Sequence, residues 1–334
     1  MLPKNVKKIL EKQHYEICGN HSAVQICRWT KKSLRNEGFC WKEKFYGIKS
    51  HQCCQFSPAV MWCENKCVHC WRPIEMNLGT NLPDVDEPKK IIDDIVKARK
   101  KLLIGFGGNE KTSKKKFKEC LEPSIFTLSL SGEPTLYPKL SGLIKIIRKR
   151  GAISFLVTNG LNPEAINKLE VGGSLPTQIT VSLNAPNEKL WKMWHRSSKK
   201  DGWEKLNETL DVLKRLKGKV RRVIRLTLVK KGSEKEKLKE LSNMEKEHVS
   251  QYVKLIRKAE PNFIHVKGFK SLGYSRKRMG YSKQPFHKEV KDFSLKIEEE
   301  LKKDGYKILG EEILSCVVIL GKNKKDMKIK DEEI

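Results

Sequence analysis

Short apolar runs alternate with longer amphipathic segments from about residue 59 to residue 266. The runs are rich in Val, Ile, Leu and Thr, and they cover residues 59–62, 125–130, 153–158, 178–183, 220–229 and 263–266. Short, mostly apolar runs are typical of strands that are buried on both faces, as in parallel sheets. The pattern therefore predicts six strands of a parallel sheet.

Segments with helical periodicity fill the intervals between these runs. They span residues 88–102, 138–150, 163–170, 201–217 and 233–258. Pro88, Pro138 and Pro163 stand where a helix tolerates proline, in its first turn. Strands that alternate with helices predict an α/β architecture, either an open sheet or a partial barrel. In such folds the functional residues collect at the carboxyl ends of the strands.

Other parts of the chain depart from this alternation. An amphipathic helix is predicted for residues 6–17, and the following residues up to 56 are rich in Cys, Trp and Lys. We interpret residues 1–56 as a ligand-bound extension. Residues 103–120 are glycine-rich and then basic without P-loop spacing, which predicts an exposed loop, with contact to RNA backbone as the alternative. The charged segment 323–334 is predicted to be frayed.

The composition changes the picture mainly through charge. The chain has 334 residues, of which 38% are hydrophobic, and no apolar run is long enough to span a membrane. The N-terminus lacks the apolar core of a signal peptide, so we expect a cytoplasmic protein without a membrane partner. Lys and Arg number 69 against 40 Asp and Glu, a net charge of +29. Lysine-rich heat-adapted proteins balance the two signs, so this excess favours a nucleic-acid partner.

Three cysteines at C-x3-C-x2-C spacing, Cys63, Cys67 and Cys70, are the first candidate for chemistry. Three soft thiolates in one short loop suit an iron–sulfur cluster or zinc. A structural zinc site needs a fourth protein ligand, and the nearest candidates, Glu64 and His69, lie inside the same loop. Spacing alone leaves both metals open.

This spacing resembles the signature of the radical S-adenosylmethionine (SAM) enzymes. The resemblance implies a four-iron cluster (4Fe-4S) whose open iron is chelated by SAM, and a cluster electron that releases a 5′-deoxyadenosyl radical. The residue before the third cysteine is usually aromatic and lies beside the adenine. Here that residue is His69.

Polar residues at three later strand ends extend the resemblance. Gly132 and Glu133, then Asn159, then Ser182 and Asn184 follow the cysteine loop in order at the ends of successive predicted strands. The resemblance implies that the first two meet the amino group of SAM and that the others hold its ribose and carboxylate. Taken alone, Gly-Glu-Pro and Asn-Gly are ordinary turns, and Glu133 is equally a candidate structural residue.

A narrower resemblance rests on residues 40–53, Cys-Trp-Lys-Glu-Lys-Phe-Tyr-Gly-Ile-Lys-Ser-His-Gln-Cys. This segment is similar to the tRNA 4-demethylwyosine synthases, radical SAM enzymes of wyosine biosynthesis in archaea and eukaryotes. Further matches lie at residues 70–73, 131–135, 225–230, 266–269 and 273–276. Residues 231–234 depart from the expected pattern, because Ser233 and Glu234 follow Lys-Gly where a polar residue such as asparagine is expected.

The narrower family implies a second four-iron cluster and a pyruvate site. Its three N-terminal cysteines match Cys27, Cys40 and Cys53, with Cys54 beside the last as a rival, and its Schiff-base lysine matches Lys42. A lysine whose pKa is depressed by burial or by cations is a good nucleophile towards a ketone. The other cysteines, Cys18, Cys54, Cys120 and Cys316, are interpreted as unligated thiols.

The hypothesis is a radical SAM partial barrel of six strands, a (β/α)6 TIM-like fold. Residues 1–56 would form the extension with the second cluster and the lysine, residues 57–275 the barrel, and residues 276–334 a C-terminal extension. By resemblance, the enzyme condenses N1-methylguanosine, beside the anticodon of tRNA-Phe, with two carbons of pyruvate, and takes electrons from an external donor. We expect a monomer.

RNA contacts are predicted on both sides of this site. The target nucleotide has to leave its stack to reach a buried radical. Trp71 and Arg72 can stack on it or hold a phosphate, although Trp71 is equally a core candidate. Arg276, Lys277 and Arg278 are predicted phosphate contacts. The alternatives are a different radical SAM RNA-modifying enzyme and a non-enzymatic zinc-containing RNA-binding protein.

Overall fold

A mixed β-sheet, curved around an interior, frames the molecule. The computed structural model describes residues 1–236 and 238–334. In the described residues the strands are β1 Glu16–Cys18, β2 Ser22–Gln25, β3 Cys53–Ser57, β4 Ile125–Leu128, β5 Ile153–Thr158, β6 Gln178–Ser182, β7 Arg221–Leu228, β8 Phe263–Gly268, β9 Lys307–Glu312 and β10 Val317–Gly321. Their order is β1-β2-β3-β4-β5-β6-β7-β8-β10-β9.

Helices cover the outer face of this sheet, and short helices form much of the N-terminal part of the chain. The described helices are α1 Lys4–Lys12, α2 Arg28–Leu34, α3 Trp41–Tyr46, α4 Pro88–Gly107, α5 Lys114–Cys120, α6 Leu140–Lys149, α7 Pro163–Val171, α8 Glu188–His195, α9 Gly202–Arg215, α10 Lys246–Ala259, α11 Ser275–Met279 and α12 His287–Leu301. Pro88 and Pro163 open α4 and α7 as predicted. Pro138 instead precedes α6, which begins at Leu140.

Six consecutive strands, β3 to β8, run parallel, and antiparallel pairs extend the sheet at both edges. Among the described residues β1 and β9 end the order without pairing to each other, so the barrel stays open. The predicted α/β partial barrel with six parallel strands is confirmed.

The first of these parallel strands lies earlier in the chain than predicted. Residues 59–62 are apolar and buried, but the chain turns there, with Met61 at φ +74°, and packs against α1. β3 was not predicted from the apolar pattern, because only one of its two faces is buried in the apolar core. Cys54 and Phe56 enter the apolar core under the helices, while Cys53 and Gln55 are only partly buried on the other face.

Four more predictions need correction. Residues 6–17 divide into the end of α1 and strand β1. The predicted helix at residues 233–258 forms only from Lys246 onward, and residue 237 lies outside the described part of the chain. Residues 103–120 are mostly helical, since α4 continues to Gly107 and α5 follows. The terminal segment packs against the barrel instead of fraying.

Buried Arg221 holds this terminal segment. Its guanidinium donates to the carbonyls of Asp326 and Met327 at 2.8 and 2.7 Å and pairs with Glu333 at 3.1 Å. Met327 then enters an apolar cluster inside the barrel that includes Trp41 and other aromatic rings of the floor, namely Phe45, Tyr46, Phe155 and Phe263. The barrel floor is therefore closed by α3 and the chain end.

None of the helices in the described ranges combines the length and the apolar character that crossing a membrane requires. The predicted division of the chain at residues 56 and 275 stays a prediction, and β3 runs across the first of these boundaries.

Candidate active site

The three-cysteine loop follows β3 at the carboxyl edge of the parallel strands. Burial raises the pKa of all three thiols, Cys63, Cys67 and Cys70. Cys67 Sγ lies 3.0 Å from His195 Nδ1, and Asn159 Nδ2 lies 3.8 Å from Cys63 Sγ. Buried thiols stay protonated unless a cation replaces the proton, as a metal cluster does.

No three Cys, His, Asp or Glu side chains of the described residues converge closely enough to hold a single metal ion. A four-iron cluster is larger than one ion and takes three thiolates at wider separation, so this donor set fits it chemically. The fit extends to neighbouring polar groups. Glu64 is buried, and its Oε1 has no partner among the described residues; the side-chain amide of Asn65 is buried and makes no hydrogen bond to them either.

Gly132 allows the cysteine loop to pack directly on the end of β4. Its φ is +73°, and a Cβ at this position would clash with the carbonyl oxygens of Ala59 and Trp62. The next residue, Glu133, donates its backbone N–H to Trp62 O at 2.7 Å. Glycine is therefore required both by backbone conformation and by close approach.

The Glu133 carboxylate ties the ends of β4 and β5 together. It accepts hydrogen bonds from the Thr135 hydroxyl at 2.8 Å, the Thr158 hydroxyl at 2.6 Å and the Asn159 backbone N–H at 2.8 Å. Burial raises the pKa of Glu133 to about 7, and the carboxylate of Glu64 adds to the shift. Because both oxygens already have protein donors, the structure supports a structural role for Glu133, and its predicted contact with SAM stays a prediction.

Asn159 links this carboxylate to the cysteine loop. Its side-chain N–H donates to Glu64 Oε2 at 3.0 Å, and its carbonyl accepts from Leu161 N at 2.9 Å. Asn159 was predicted from the sequence as a site residue, whereas Glu64 was not predicted as a polar group of the site. The position of Glu64 directly after Cys63 could have indicated this role, but Glu64 was considered only as a zinc ligand.

His69 lies in a buried cluster of rings and amides. Its Nδ1 accepts from Trp194 Nε1, and its Nε2 lies 3.3 Å from the Asn184 amide. Burial holds the pKa of His69 well below its usual range, so the ring is neutral.

Ser182, at the end of β6, lies beside a buried cation that sequence analysis did not assign. Arg225 Nη2 donates to Ser182 Oγ at 2.7 Å, while Arg225 Nε is buried without a partner among the described residues. The two residues are direct neighbours in the register of β6 and β7. Arg225 therefore brings a positive charge to the interior beside the predicted SAM contacts.

The N-terminal cysteines meet inside the barrel below this loop. Cys27 and Cys40 precede α2 and α3 as N-cap residues, and Cys53 opens β3 with its Sγ 3.5 Å from Thr127 Oγ1. Burial raises the pKa of Cys27 and Cys40, and both thiols lie close enough to Cys53 for its charge to act on them. Cys54 points the opposite way into the helix-side core, so the geometry favours Cys53.

Lys42, in the first turn of α3, shares this interior. Its Nζ lies 4.3 Å from the ring centroid of Phe155, and its charge acts on Cys27 and Cys40. A second lysine, Lys267 on β8, lies in the matched segment 266–269 but had no predicted role. Its Nζ lies 5.7 Å from the Trp41 ring, and burial lowers its pKa to about 8. A period of two in β8 turns His265 and Lys267 to the same face.

The predicted RNA contacts differ in how far their side chains are exposed. Trp71 is 45% exposed, so it does not belong to the core. Arg72 is buried, stacks 3.7 Å from the Trp71 ring and donates Nε to Leu130 O at 2.9 Å. Arg276 and Lys277 are exposed on α11.

Arg278 faces the cysteine loop, unlike its two neighbours on α11. Its guanidinium donates to the carbonyls of Val68, Cys70 and Arg72 and pairs with Glu75 at 2.6 Å. These contacts hold the backbone of the loop around its third cysteine.

Comparison with known proteins agrees with this geometry. The chain matches the family model of the radical SAM superfamily over residues 58–244 and that of wyosine base formation over residues 258–322. It is 41% identical over 326 residues to the SAM-dependent tRNA 4-demethylwyosine synthase of Pyrococcus abyssi, which covers 97% of this chain and 91% of that protein. The Methanocaldococcus jannaschii protein of the same name is 36% identical, with 97% and 98% covered.

The solved structure of TYW1 with a lysine-pyruvate adduct bound is 33% identical, has a TM-score of 0.82, and covers 99% of both chains. The resemblance to the narrower family is confirmed, and membership of the superfamily implies SAM and a four-iron cluster as cofactors. The chain belongs to the radical SAM superfamily and, within it, to the family of SAM-dependent tRNA 4-demethylwyosine synthases.

Proposed function

We propose that this protein converts N1-methylguanosine, beside the anticodon of tRNA-Phe, into 4-demethylwyosine with two carbons of pyruvate. The observation that carries the proposal is the pairing of two cysteine sets with one lysine. Cys63, Cys67 and Cys70 lie at the carboxyl edge of the barrel, while Cys27, Cys40, Cys53 and Lys42 lie in its interior below them. The names of its relatives and the lysine-pyruvate adduct of a solved TYW1 support the same reaction.

The chain's own residues would prepare the SAM site. When bound, SAM and the first four-iron cluster supply a carbon radical by one-electron cleavage of a carbon–sulfur bond. Glu64 has a buried oxygen without a partner in the described part of the chain, so it can accept a hydrogen bond from an ammonium group, and Asn159 fixes its orientation. The neutral, buried ring of His69 offers a flat surface for a base.

Lys42 would hold pyruvate as an imine. Its amine adds to the ketone carbon, and the carbonyl oxygen leaves as water, so the keto acid becomes covalently bound to α3. The second cluster is proposed at Cys27, Cys40 and Cys53, directly beside this lysine. The surrounding rings of Phe155 and Trp41 limit the access of water to the imine.

The exposed face above the cysteine loop would receive the tRNA. The target nucleotide is swung out of its stack, the exposed Trp71 ring stacks on a base, and Arg276 and Lys277 contact phosphates. We place the enzyme in the cytoplasm, where tRNA is found and thiols stay reduced. It would act as a monomer with an external electron donor.

Product analysis tests this function directly. Protein reconstituted with iron and sulfide without oxygen is incubated with SAM, a reductant, pyruvate and tRNA-Phe that carries N1-methylguanosine, and the nucleosides are analysed by mass spectrometry. We expect 4-demethylwyosine that takes up two labelled pyruvate carbons. SAM cleavage without this product would favour a different radical SAM RNA-modifying enzyme, and zinc with no reconstitutable iron would favour the zinc-protein alternative.

A further inference from the structure

Three cations share the barrel interior around the proposed pyruvate site. Lys42 and Lys267 approach the same indole ring, with Nζ atoms 6.0 and 5.7 Å from the Trp41 centroid. Arg225 lies one strand away, directly opposite His265 in the register of β7 and β8. All three residues are partly buried. A charge with restricted access to water normally has a partner, because removing it from water alone is costly.

Lys42 and Arg225 have other assignments, whereas Lys267 has none. Lys42 is the proposed nucleophile, and Arg225 donates to Ser182 on the side of the SAM contacts. The amine of Lys267 makes no hydrogen bond or ion pair within the described ranges. The thiols near enough to act on its charge are those of Cys40 and Cys316, and the cations near enough to do so are Lys42 and Arg225.

Position also limits what Lys267 can bind. It lies near the end of β8, where Thr227 and Val317 are its direct neighbours in the sheet, and its amine approaches the Trp41 indole at the start of α3. A polynucleotide cannot enter between these packed elements, whereas a small acid held by Lys42 would lie close to this amine. Four-carbon side chains let both amines reach one short ligand.

We propose that Lys267 binds the carboxylate of the 2-oxo acid whose ketone carbon reacts with Lys42. This inference rests on the proposed function. The two functional groups of pyruvate are adjacent, so one amine takes the ketone while the other, as an ammonium group, donates charge-assisted hydrogen bonds to the carboxylate. Lys267 is therefore a specificity residue that selects 2-oxo acids over neutral ketones.

A pair of substrates separates carboxylate binding from any effect on the Lys42 amine. Reconstituted full-length protein, without SAM or tRNA, is treated with borohydride at increasing concentrations of pyruvate or of its neutral amide, pyruvamide. The adduct on the peptide that contains Lys42 is measured by mass spectrometry. Loss of a nearby cation changes the reactivity of Lys42 towards both compounds equally, so the ratio of their half-saturating concentrations reports the carboxylate contact alone.

In Lys267→Met we expect the preference for pyruvate over pyruvamide to fall about tenfold or more, as loss of a charged hydrogen bond predicts. Lys267→Arg should recover part of this preference. Lys254→Met is the matched control, since Lys254 is exposed on the outer helix α10. Iron content and thermal unfolding of each variant show whether it is folded, and Lys267→Gln replaces the Met variant if that one is not.

The outcomes distinguish the two proposals. An unchanged pyruvate preference in folded Lys267 variants would overturn the carboxylate assignment and leave the Schiff base at Lys42 standing. If the wild-type protein forms no adduct at Lys42 with either compound, the proposed function itself is contradicted. A lower preference in Lys254→Met as well would remove the assignment to Lys267, because a distant charge would then have the same effect.

Discussion

At the scale of single residues, Lys42 owes its chemistry to its surroundings. Its amine projects from the first turn of α3 over the Phe155 ring and lies near the thiols of Cys27 and Cys40. An arginine at this position keeps the charge but has no amine that can form an imine. The residue is therefore testable without a change in local charge.

We predict that Lys42→Arg still cleaves SAM but forms no borohydride-trapped pyruvate adduct and no 4-demethylwyosine. Adduct formation and SAM cleavage are measured on the same preparation by mass spectrometry and chromatography. Lys44→Arg is the control, because Lys44 is exposed on the same helix and pairs with Glu312. Product formation by Lys42→Arg at the wild-type rate would remove Lys42 from the mechanism.

Arg278 differs from the two basic residues before it in what it touches. Its guanidinium binds three carbonyls of the cysteine loop, so its loss frees the backbone around Cys70. We predict that Arg278→Gln retains the first cluster poorly and loses several-fold more iron than Arg276→Gln under air. Iron release is followed by the loss of visible absorbance. Equal iron release from both variants would contradict this role in the cysteine loop and leave Arg278 as a predicted RNA contact.

At the scale of elements, each proposed cluster depends on a different part of the chain. The loop at residues 63–70 follows β3, whereas Cys27 and Cys40 begin two short helices and Cys53 begins β3 itself. Since the two sets share no cysteine, they should load independently.

We predict about eight irons per chain after anaerobic reconstitution, since each four-iron cluster needs its own thiolates. Replacement of Cys63, Cys67 and Cys70 by alanine should remove half of this iron, and replacement of Cys27, Cys40 and Cys53 should remove the other half. Cys54→Ala serves as the control and should keep the full amount, because Cys54 is buried in the helix-side core. About four irons per chain in the wild-type protein would indicate a single cluster and contradict the proposed second one.

The elements also show what the sequence could predict and where local patterns failed. Strands β4 to β8 were predictable because each contains a short run of apolar and β-branched residues, and Pro88 and Pro163 fixed two helix starts. β3 was missed because one of its faces is polar. Residues 59–62 were mistaken for a strand because burial in a turn produces the same apolar run.

The site was predicted through motifs, but not every residue within a matched segment was given a role. The cysteines, Lys42 and Asn159 stand in short recognisable segments. Arg225 and Lys267 lie in matched segments without a predicted role, and only the assembled barrel shows that these partly buried cations lie near one another. The packing of residues 323–334 was missed for the same reason, since its anchor, Arg221, lies on a distant strand.

At the scale of the whole molecule, charge is the dominant property. Many surface lysines pair with acids, as Lys205 does with Glu164 and Glu208, yet the net charge remains +29. Exposed pairs of this kind add little stability. The positive charges that remain in excess of the acidic groups are available to bind a polyanion. An RNA contact that depends on this excess should be strongly sensitive to salt.

We predict that tRNA affinity falls steeply as salt rises, because each neutralised phosphate releases counterions. Arg276→Gln and Lys277→Gln should each weaken all tRNAs alike and lower the salt slope by about one contact, since phosphate contacts carry no identity. Trp71→Ala should leave the slope nearly unchanged while it slows 4-demethylwyosine formation, because the exposed ring beside the cysteine loop is proposed to stack on the swung-out nucleotide. Filter binding at several salt concentrations measures the slopes, and nucleoside analysis measures the product. A flat salt response would make the basic excess a matter of composition alone, and an unchanged product yield in Trp71→Ala would remove that ring from the substrate site.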